Sequence, residues 1–248
     1  MSDSAAVKAR QDTFRSLVFA GSSAVTLAFV LVYLLLGLVA PRSSLPALCY
    51  RLSFLAALGA HAFRASYTLL PKVKALAGDS AALKRELFSS NAVLRSLYCA
   101  IFAFSARPTG LAWLPVAVHA AAQLGAFAVA KTRAGADPRV RAAYDRFQGF
   151  LPQLLQMATS AEVANMFVLG AALLTSRREV SKFILLLQYL RAAWHCQDET
   201  IFKMRLPGST SFYHRMTWGL VDERVRPLLR SAPAAQNAID KASLWFRA

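Results

Sequence analysis

Long stretches of mainly apolar residues recur along the chain, separated by short polar and basic stretches. The first, residues 17–40, contains 24 residues without a charge. That length crosses the roughly 30 Å hydrocarbon core of a bilayer with some tilt. A signal peptide is the alternative, but its apolar core has only about 7–15 residues and precedes a small-residue cleavage site. Because Pro41 follows the run directly, we favour a retained membrane-spanning helix.

Five further apolar segments follow this first one. The six segments are residues 17–40, 45–70, 87–106, 111–130, 150–175 and 180–194. A short turn at 107–110 joins the third and fourth segments, which predicts a helical hairpin. The sixth is short for a span and predicts an interfacial helix or one that continues into water. The pattern indicates an all-α, polytopic membrane protein with about six hydrophobic helices, some of them short hairpins.

Basic residues divide the chain into three regions under the positive-inside rule. Residues 1–16 form a cytosolic N-terminus, and residues 17–200 form a helical membrane domain with basic loops at 71–86 and 131–149. Residues 201–248 form a basic amphipathic tail. The cluster Arg177, Arg178 and Lys182 falls on the opposite side and breaks the pattern. Either the fifth and sixth helices form a shallow hairpin, or the topology differs after residue 150.

Composition supports a membrane location. Apolar residues make up 56% of the chain, charged residues 17%, and the mean hydropathy is +0.38, against roughly 45–50% and 25% in soluble domains. The net charge of +16 suits a nucleic acid or an anionic leaflet. The long apolar runs decide for the leaflet, so we expect no direct nucleic-acid partner. The three cysteines are widely spaced and predict small buried thiols.

The C-terminal region predicts a helix with one apolar face, beginning near the capping residues 209–211. Residues 203–248 hold eight Lys or Arg against three Asp or Glu, and basic amphipathic helices suit an anionic membrane surface. A second helix is expected after Pro233. The alternative is that the apolar stripe packs back onto the protein. The membrane-surface candidates are Arg215, Trp218, Val221, Arg224, Val225, Arg226, Leu228, Arg230, Trp245 and Phe246.

Six polar side chains interrupt the apolar segments. They are Arg51, His61, Arg64, Arg95, His119 and Glu162. Such residues are costly in hydrocarbon and mark either a transport path or an internal pair. Pairing Glu162 with Arg95 inside a helix bundle would remove two costs at once. We favour this structural interpretation, because the broken helices and matching halves of many transporters are not visible in the sequence.

Catalytic signatures are not apparent. The four histidines are scattered, and no GxSxG, HExxH or glycine-rich phosphate loop occurs. Asp198 and Glu199 suit a solvated helix face better than a metal site. We therefore predict a protein that is not an enzyme and that uses no cofactor or metal. A membrane enzyme of lipid metabolism is the weakest alternative.

Several weak motifs occur in an order that resembles a eukaryotic membrane-protein family. They are RSLYCAIFAF at 95–104, a proline turn, LPVAVHAA at 114–121, HAFR at 61–64, Glu162 in the fifth segment, and QYLR at 188–191. Together, over roughly residues 45–230, they resemble the family called transmembrane protein 33 in animals, Krüppel homologue 2 in flies and a pore-membrane protein in yeast. The N-terminal segment departs most from that pattern.

The resemblance implies a multi-pass protein of the endoplasmic reticulum membrane and nuclear envelope without known catalytic activity. It implies a role in nuclear pore organisation, reticulum tubule shaping and the unfolded-protein response. The implied partners are the lipid bilayer, reticulon-type or nuclear pore proteins, and a nuclear import receptor bound by the basic tail. We expect a non-catalytic scaffold or membrane-shaping protein. The alternative is a small transporter or channel that uses the intramembrane polar residues.

Overall fold

The computed structural model describes residues 2–40, 42–76, 78–105, 108–175, 179–196, 200–201, 204–205, 210–229, 236–237, 240–241 and 244. Its helices are α1 (Ser2–Val39), α2 (Leu45–Ala75), α3 (Ser80–Ser89), α4 (Asn91–Ala103), α5 (Trp113–Lys131), α6 (Pro138–Ala172), α7 (Val180–His195) and α8 (Thr210–Leu229). A 3₁₀ turn, Arg133–Ala136, joins α5 to α6. Two-residue strands, β1 (Thr200–Ile201) and β2 (Met204–Arg205), pair antiparallel between α7 and α8. The all-helical expectation is confirmed apart from this minimal hairpin.

The six predicted apolar segments correspond in order to α1, α2, α4, α5, α6 and α7. Within the described residues, two of these helices contain stretches long and apolar enough to cross a membrane, Ala9–Val39 and Trp113–Lys131. Their mean hydropathies are 2.3 and 1.4. The molecule is thus a helical protein with two candidate membrane spans. A polytopic arrangement of about six crossings stays a prediction.

The two stretches predicted as basic loops are largely helical, which corrects that expectation. Within 71–86, α2 runs on and α3 then begins, where the Asp79 carboxylate accepts hydrogen bonds from two first-turn amides. Within 131–149, α6 starts at Pro138, and Asp137 caps it in the same way. Charged residues lower the hydropathy of a segment but do not end a helix. Low hydropathy at 71–86 and 131–149 therefore does not indicate a loop.

The helices run alternately between two ends of the bundle. Helix α1 packs on α2 and α5, α2 on α4, α5 on α6, α4 on α7, and α8 on α6 and α7. The α4–α5 connection meets α2 and α7, since the Thr109 amide donates to the Tyr50 hydroxyl at 3.3 Å and Lys182 Nζ donates to Thr109 Oγ1 at 2.5 Å. We call this the distal end. At the opposite, proximal end, Cys196 Sγ lies 3.1 Å from the Ser89 carbonyl oxygen.

This alternation gathers ten of the described basic side chains near the proximal end. They are Arg10, Arg15, Lys72, Lys74, Lys84, Arg85, Lys131, Arg133, Arg139 and Arg141. The distal end carries Arg42, Arg51 and Lys182, while Arg107, Arg177 and Arg178 lie outside the described residues. Such asymmetry is what the positive-inside rule expects of a cytosolic end. Which end faces the cytosol stays a prediction.

The main core is a column of aromatic side chains between α2, α4 and α7. Tyr50 and Phe54 have ring centroids 4.7 Å apart, Phe54 and Phe102 5.6 Å, and Tyr98 and Tyr189 5.1 Å. All five are at most 1% exposed. Offset and tilted ring pairs stabilise a core beyond the burial of their area. This column fixes the positions of α4 and α7, which carry two of the central polar side chains, Arg95 and Tyr189.

Candidate functional site: a charge pair buried where four helices meet

Glu162 lies within α6 and has no exposed surface. Arg95 Nη1, on α4, donates to Glu162 Oε1. The Tyr189 hydroxyl, on α7, donates to Glu162 Oε2 at 2.8 Å and accepts from Arg95 Nη1 at 3.1 Å. The pairing of Glu162 with Arg95, one of the two interpretations of the sequence, is therefore present in the structure.

The last helix adds a fourth element to this network. His214 Nε2, on α8, lies 3.1 Å from Glu162 Oε2, and the His214 side chain is completely buried. Its ring meets Tyr189 edge-on, with centroids 6.3 Å apart. One carboxylate thus contacts side chains from α4, α7 and α8. A substitution of Glu162 would therefore remove contacts between α6 and each of these three helices.

The geometry suits a structural role better than chemistry. Both carboxylate oxygens have close partners, and neither reaches a surface from which a substrate or water could approach. A buried pair contributes little net stability, but removing one partner costs about 3–5 kcal/mol. Among the described residues, no group of three or more His, Cys, Asp or Glu side chains is arranged to hold a metal ion. What the network can do is fix how four helices sit together.

The other predicted polar candidates are only partly brought together. His61 and His119 are buried on α2 and α5, both within electrostatic range of the Arg95 guanidinium. Arg64 is half-buried, and Arg51 is exposed on the outside of α2. The six residues therefore do not line one continuous path through the described part of the chain.

Beside His119 the structure shows a polar side chain that the sequence analysis did not single out. Gln123 lies one turn further along α5, and its Oε1 accepts from Ser23 Oγ of α1 at 2.8 Å. His119 Nε2 and Gln123 Nε2 are buried without a hydrogen-bond partner among the described residues. Buried polar atoms of this kind often bind ordered water.

Tyr189 and His214 were also missed as members of the site. A usable signal existed for His214, because it precedes Trp218 by four residues and Val221 by seven. Extending the predicted stripe of α8 back by one turn places this histidine on the same face. No comparable signal marked Tyr189, since tyrosine in an apolar helix is ordinary core material.

The predicted apolar stripe of α8 faces inward at its centre. Trp218 and Val221 pack against the main core, and the Trp218 ring lies 6.3 Å from Phe167. For these two residues, the structure agrees with the alternative that the apolar stripe packs back onto the protein. Arg215, Arg224 and Leu228 are exposed, while Val225 and Arg226 are half-buried. Arg230, Trp245 and Phe246 lie outside the described residues, and so does most of the predicted second helix.

The outward face of α8 carries a different apolar stripe. Phe212, Met216 and Leu220 follow one another at four-residue spacing and are 52%, 44% and 43% exposed. The opposite face buries polar side chains, including Ser211, Thr217 and His214. Gln156 Nε2 donates to Thr217 Oγ1 at 2.8 Å across this contact. The inner face of α8 therefore mixes polar side chains with Tyr213, Trp218 and Val221, while its outer face carries an exposed apolar stripe.

No protein-family model, curated protein or solved structure matches this chain. The resemblance noted in the sequence rests on its motifs alone and stays a prediction. The fold and the site define an α-helical protein with two candidate membrane spans. Its central charge pair lies where four helices meet.

Proposed function

We propose that this chain is a non-catalytic integral membrane protein that acts as a scaffold or membrane-shaping factor. The proposal rests on the distribution of apolar and charged side chains between the surface and the interior. Large apolar side chains face outward along α1 and on the outer face of α8, whereas Arg95 and Glu162 are buried together at the centre. In water such a distribution is unfavourable, but in a bilayer it is the expected one.

Helices α1 and α5 supply the membrane anchor in this proposal. Leu31, Leu35 and Leu38 of α1 are 60%, 61% and 82% exposed. In the most apolar 18-residue stretch of this helix, only 17% is buried inside the protein. Helix α5 packs against α1. Both helices are long and apolar enough to cross a membrane. The basic proximal end then faces the anionic cytosolic leaflet.

Helix α8 attaches to the membrane surface through its outer face. Phe212, Met216 and Leu220 enter the boundary between headgroups and acyl chains, and exposed Arg215 and Arg224 contact anionic lipid. Each basic side chain near such a surface contributes about 1 kcal/mol. Insertion of a shallow wedge into one leaflet favours a curved membrane.

The compartment and partners in this proposal come from the family resemblance. The motifs around Arg95, His119 and Glu162 support the endoplasmic reticulum and nuclear envelope as the location. They also support reticulon-type and nuclear pore proteins as membrane partners. The basic tail suits an import receptor, because such a receptor would present acidic surface to it.

Sorting on membrane tubes tests the proposal. Fluorescently labelled full chain is reconstituted into giant vesicles containing anionic lipid, and narrow tubes are pulled from them. We expect at least a twofold enrichment on tubes, which a Phe212→Ser, Met216→Ser and Leu220→Ser triple variant loses because its outer face no longer inserts. The matched control, Trp218→Phe on the inner face, keeps the enrichment. Equal density of the parent protein on tubes and flat membrane would reject the shaping role.

A small transporter or channel is the second candidate, and one observation favours it. The unpartnered atoms of His119 and Gln123 mark a polar interior next to α1 and α5. Flux of protons, cations and anions into vesicles reconstituted with the parent and with Glu162→Gln separates the two functions. The scaffold proposal expects no flux from either protein. Flux in the parent that Glu162→Gln abolishes would establish the transporter instead.

A further inference from the structure

A groove of about 440 Å³ lies between α4 and α7 at the distal end of the bundle. Its wall is apolar along Leu97, Ala100, Ile101 and Leu185, and its tip is polar. The apolar part precedes the tip by one to two turns of α4. The groove thus combines an apolar channel with a polar end, which is the shape of an amphiphile.

A buried lysine forms the polar end. Lys182 is 7% exposed, and its Nζ donates to Ser105 Oγ at 2.6 Å and to Thr109 Oγ1 at 2.5 Å. It also lies 2.8 Å from Glu179 Oε2 and 5.2 Å from the Phe102 ring centroid. Three of these partners are neutral, so the ammonium group has one opposite charge among these contacts.

The comparison with Arg95 shows why this lysine differs from a purely structural cation. Arg95 pairs with a carboxylate that has no exposed surface, whereas the Glu179 side chain is 30% exposed at the rim of the groove. A partner at the rim is screened by solvent, so it attracts the ammonium group less strongly than a fully buried carboxylate does. An incoming anion can therefore replace Glu179 while Ser105 and Thr109 continue to hold the ammonium group.

We infer that this groove binds one phospholipid, with the headgroup phosphate on Lys182 and an acyl chain along Leu97, Ala100 and Ile101. The inference rests on the bilayer location in the proposed function. Phe104 and Leu185, which flank the opening, are 78% and 46% exposed, so the groove opens sideways onto an apolar surface. A lipid in the leaflet at the distal end would enter from that side.

The start of α7 adds donors for the phosphate. Glu179 occupies the N-cap position without accepting a hydrogen bond from the first-turn amides. The Ser181 side chain lines the same groove. The amides of the first turn of a helix favour a nearby anion. They support the buried lysine and do not define the site without it.

The test counts bound lipid on the full chain in mild detergent by native mass spectrometry. Dioleoyl phosphatidic acid is titrated against the parent, Ala100→Phe and Lys182→Gln. The first substitution fills the apolar channel without touching the contacts of Lys182, and the second removes the charge. The matched control is Ala62→Phe, at an exposed position on α2. We expect one lipid per parent chain, at least tenfold weaker binding in both groove variants, and no change in the control.

Two further ligands separate the parts of the recognition. Dioleoylglycerol lacks the phosphate, and glycerol 3-phosphate lacks the chains, so both should bind at least tenfold more weakly than phosphatidic acid. Equal binding of dioleoylglycerol would overturn the role of Lys182. Full competition by glycerol 3-phosphate would overturn the acyl channel. Unchanged binding by Ala100→Phe would overturn the site as a whole.

Alkaline extraction of membranes that contain the same proteins keeps this inference separate from the proposed function. A parent protein that resists extraction but retains no phosphatidic acid overturns the groove alone. A parent protein that alkali releases from membranes overturns the bilayer location. If Ala100→Phe resists extraction, unfolds at the parent temperature and still loses the lipid, the groove is the binding site.

Discussion

Helix α1 and the α2–α4–α7 core pack differently. Helix α1 buries several small and hydroxyl side chains, among them Ala20, Ser23 and Thr26, beside two large ones, Phe19 and Val30, and it leaves Leu31, Leu35 and Leu38 exposed. The core around Phe54 and Phe102 buries large aromatic rings, as a water-soluble domain does. Small residues at helix contacts are typical of membrane interfaces, where lipid is as apolar as leucine.

This difference shows that two driving forces hold one molecule together. The aromatic core is stabilised by burial of apolar surface. Helix α1 gains less from such burial, because Leu31, Leu35 and Leu38 remain exposed and its buried large side chains are mainly Phe19, which packs on Phe63 and Tyr67 of α2, and Val30. Close approach through small side chains and the Ser23–Gln123 hydrogen bond holds it to α5 instead. The following substitutions probe the two regions, beginning with the largest expected effect.

Breaking the buried pair should damage the core region most. Glu162→Gln leaves Arg95 buried without its carboxylate, so we expect about 3–5 kcal/mol less stability, measured as the free energy of unfolding in detergent. The double variant Arg95→Met with Glu162→Met should be less destabilised than either single methionine variant, Arg95→Met or Glu162→Met, because no uncompensated charge remains. Purely additive effects in this cycle would show that the pair does not act as a unit.

A charge on the outside of α1 should act on membrane integration and spare the core. Leu31→Arg places a guanidinium within the candidate span, at a cost of about 2.5–3.5 kcal/mol near the bilayer centre. The fraction of protein that alkali extracts from membranes should rise. Phe88→Arg, at an exposed apolar position on α3, is the control and should leave extraction unchanged. Equal behaviour of the two variants would mean that α1 does not lie in lipid.

Enlarging a small interface residue should separate α1 from α5. Ser23 is 2% exposed, so Ser23→Leu overpacks the contact and should cost about 1–3 kcal/mol, measured as a lower unfolding temperature in detergent. Ala24→Leu adds bulk at the next position, which is exposed, and should be neutral. Similar losses from both changes would argue that neither position faces a close neighbour.

The smallest effect is expected at the exposed ion pair of the proximal end. Lys72 contacts Glu86, with side chains 57% and 32% exposed. Glu86→Gln should change the free energy of unfolding by no more than about 1 kcal/mol, in contrast to Glu162→Gln. A loss as large as that of the buried pair would remove the distinction between surface and buried charges drawn here.

Much of the fold followed from the sequence, since uncharged runs and polar breaks located six helices in order. The contact between Arg95 and Glu162 was anticipated because an isolated charge in an apolar segment needs a partner. Inward packing of the predicted α8 stripe was one of two alternatives, and it describes Trp218 and Val221, but the second, outward apolar stripe was not anticipated. Choosing the apolar stripe as the outer or inner face requires knowing the surrounding solvent, and Phe212, Met216 and Leu220 fell outside the stripe first chosen.

Other features depend on tertiary packing and leave little trace in sequence. Tyr189 joins the network because α7 lies next to α4 and α6, which no spacing along the chain encodes. Lys182 was visible only as a residue that broke the charge pattern. Its burial beside Ser105 and Thr109 explains that exception, since its charge is satisfied inside the protein.

The two candidate spans differ in length, and they pack side by side. The uncharged run at 17–40 is 24 residues, or about 36 Å of helix, whereas the 19 residues of α5 give about 28 Å. A bilayer that covers the apolar length of both helices must be thicker beside α1 than beside α5, or α1 must tilt. With the bilayer location of the proposed function, such a hydrophobic mismatch within one molecule would impose a thickness gradient on the surrounding lipid, and neighbouring copies would align so that their gradients match.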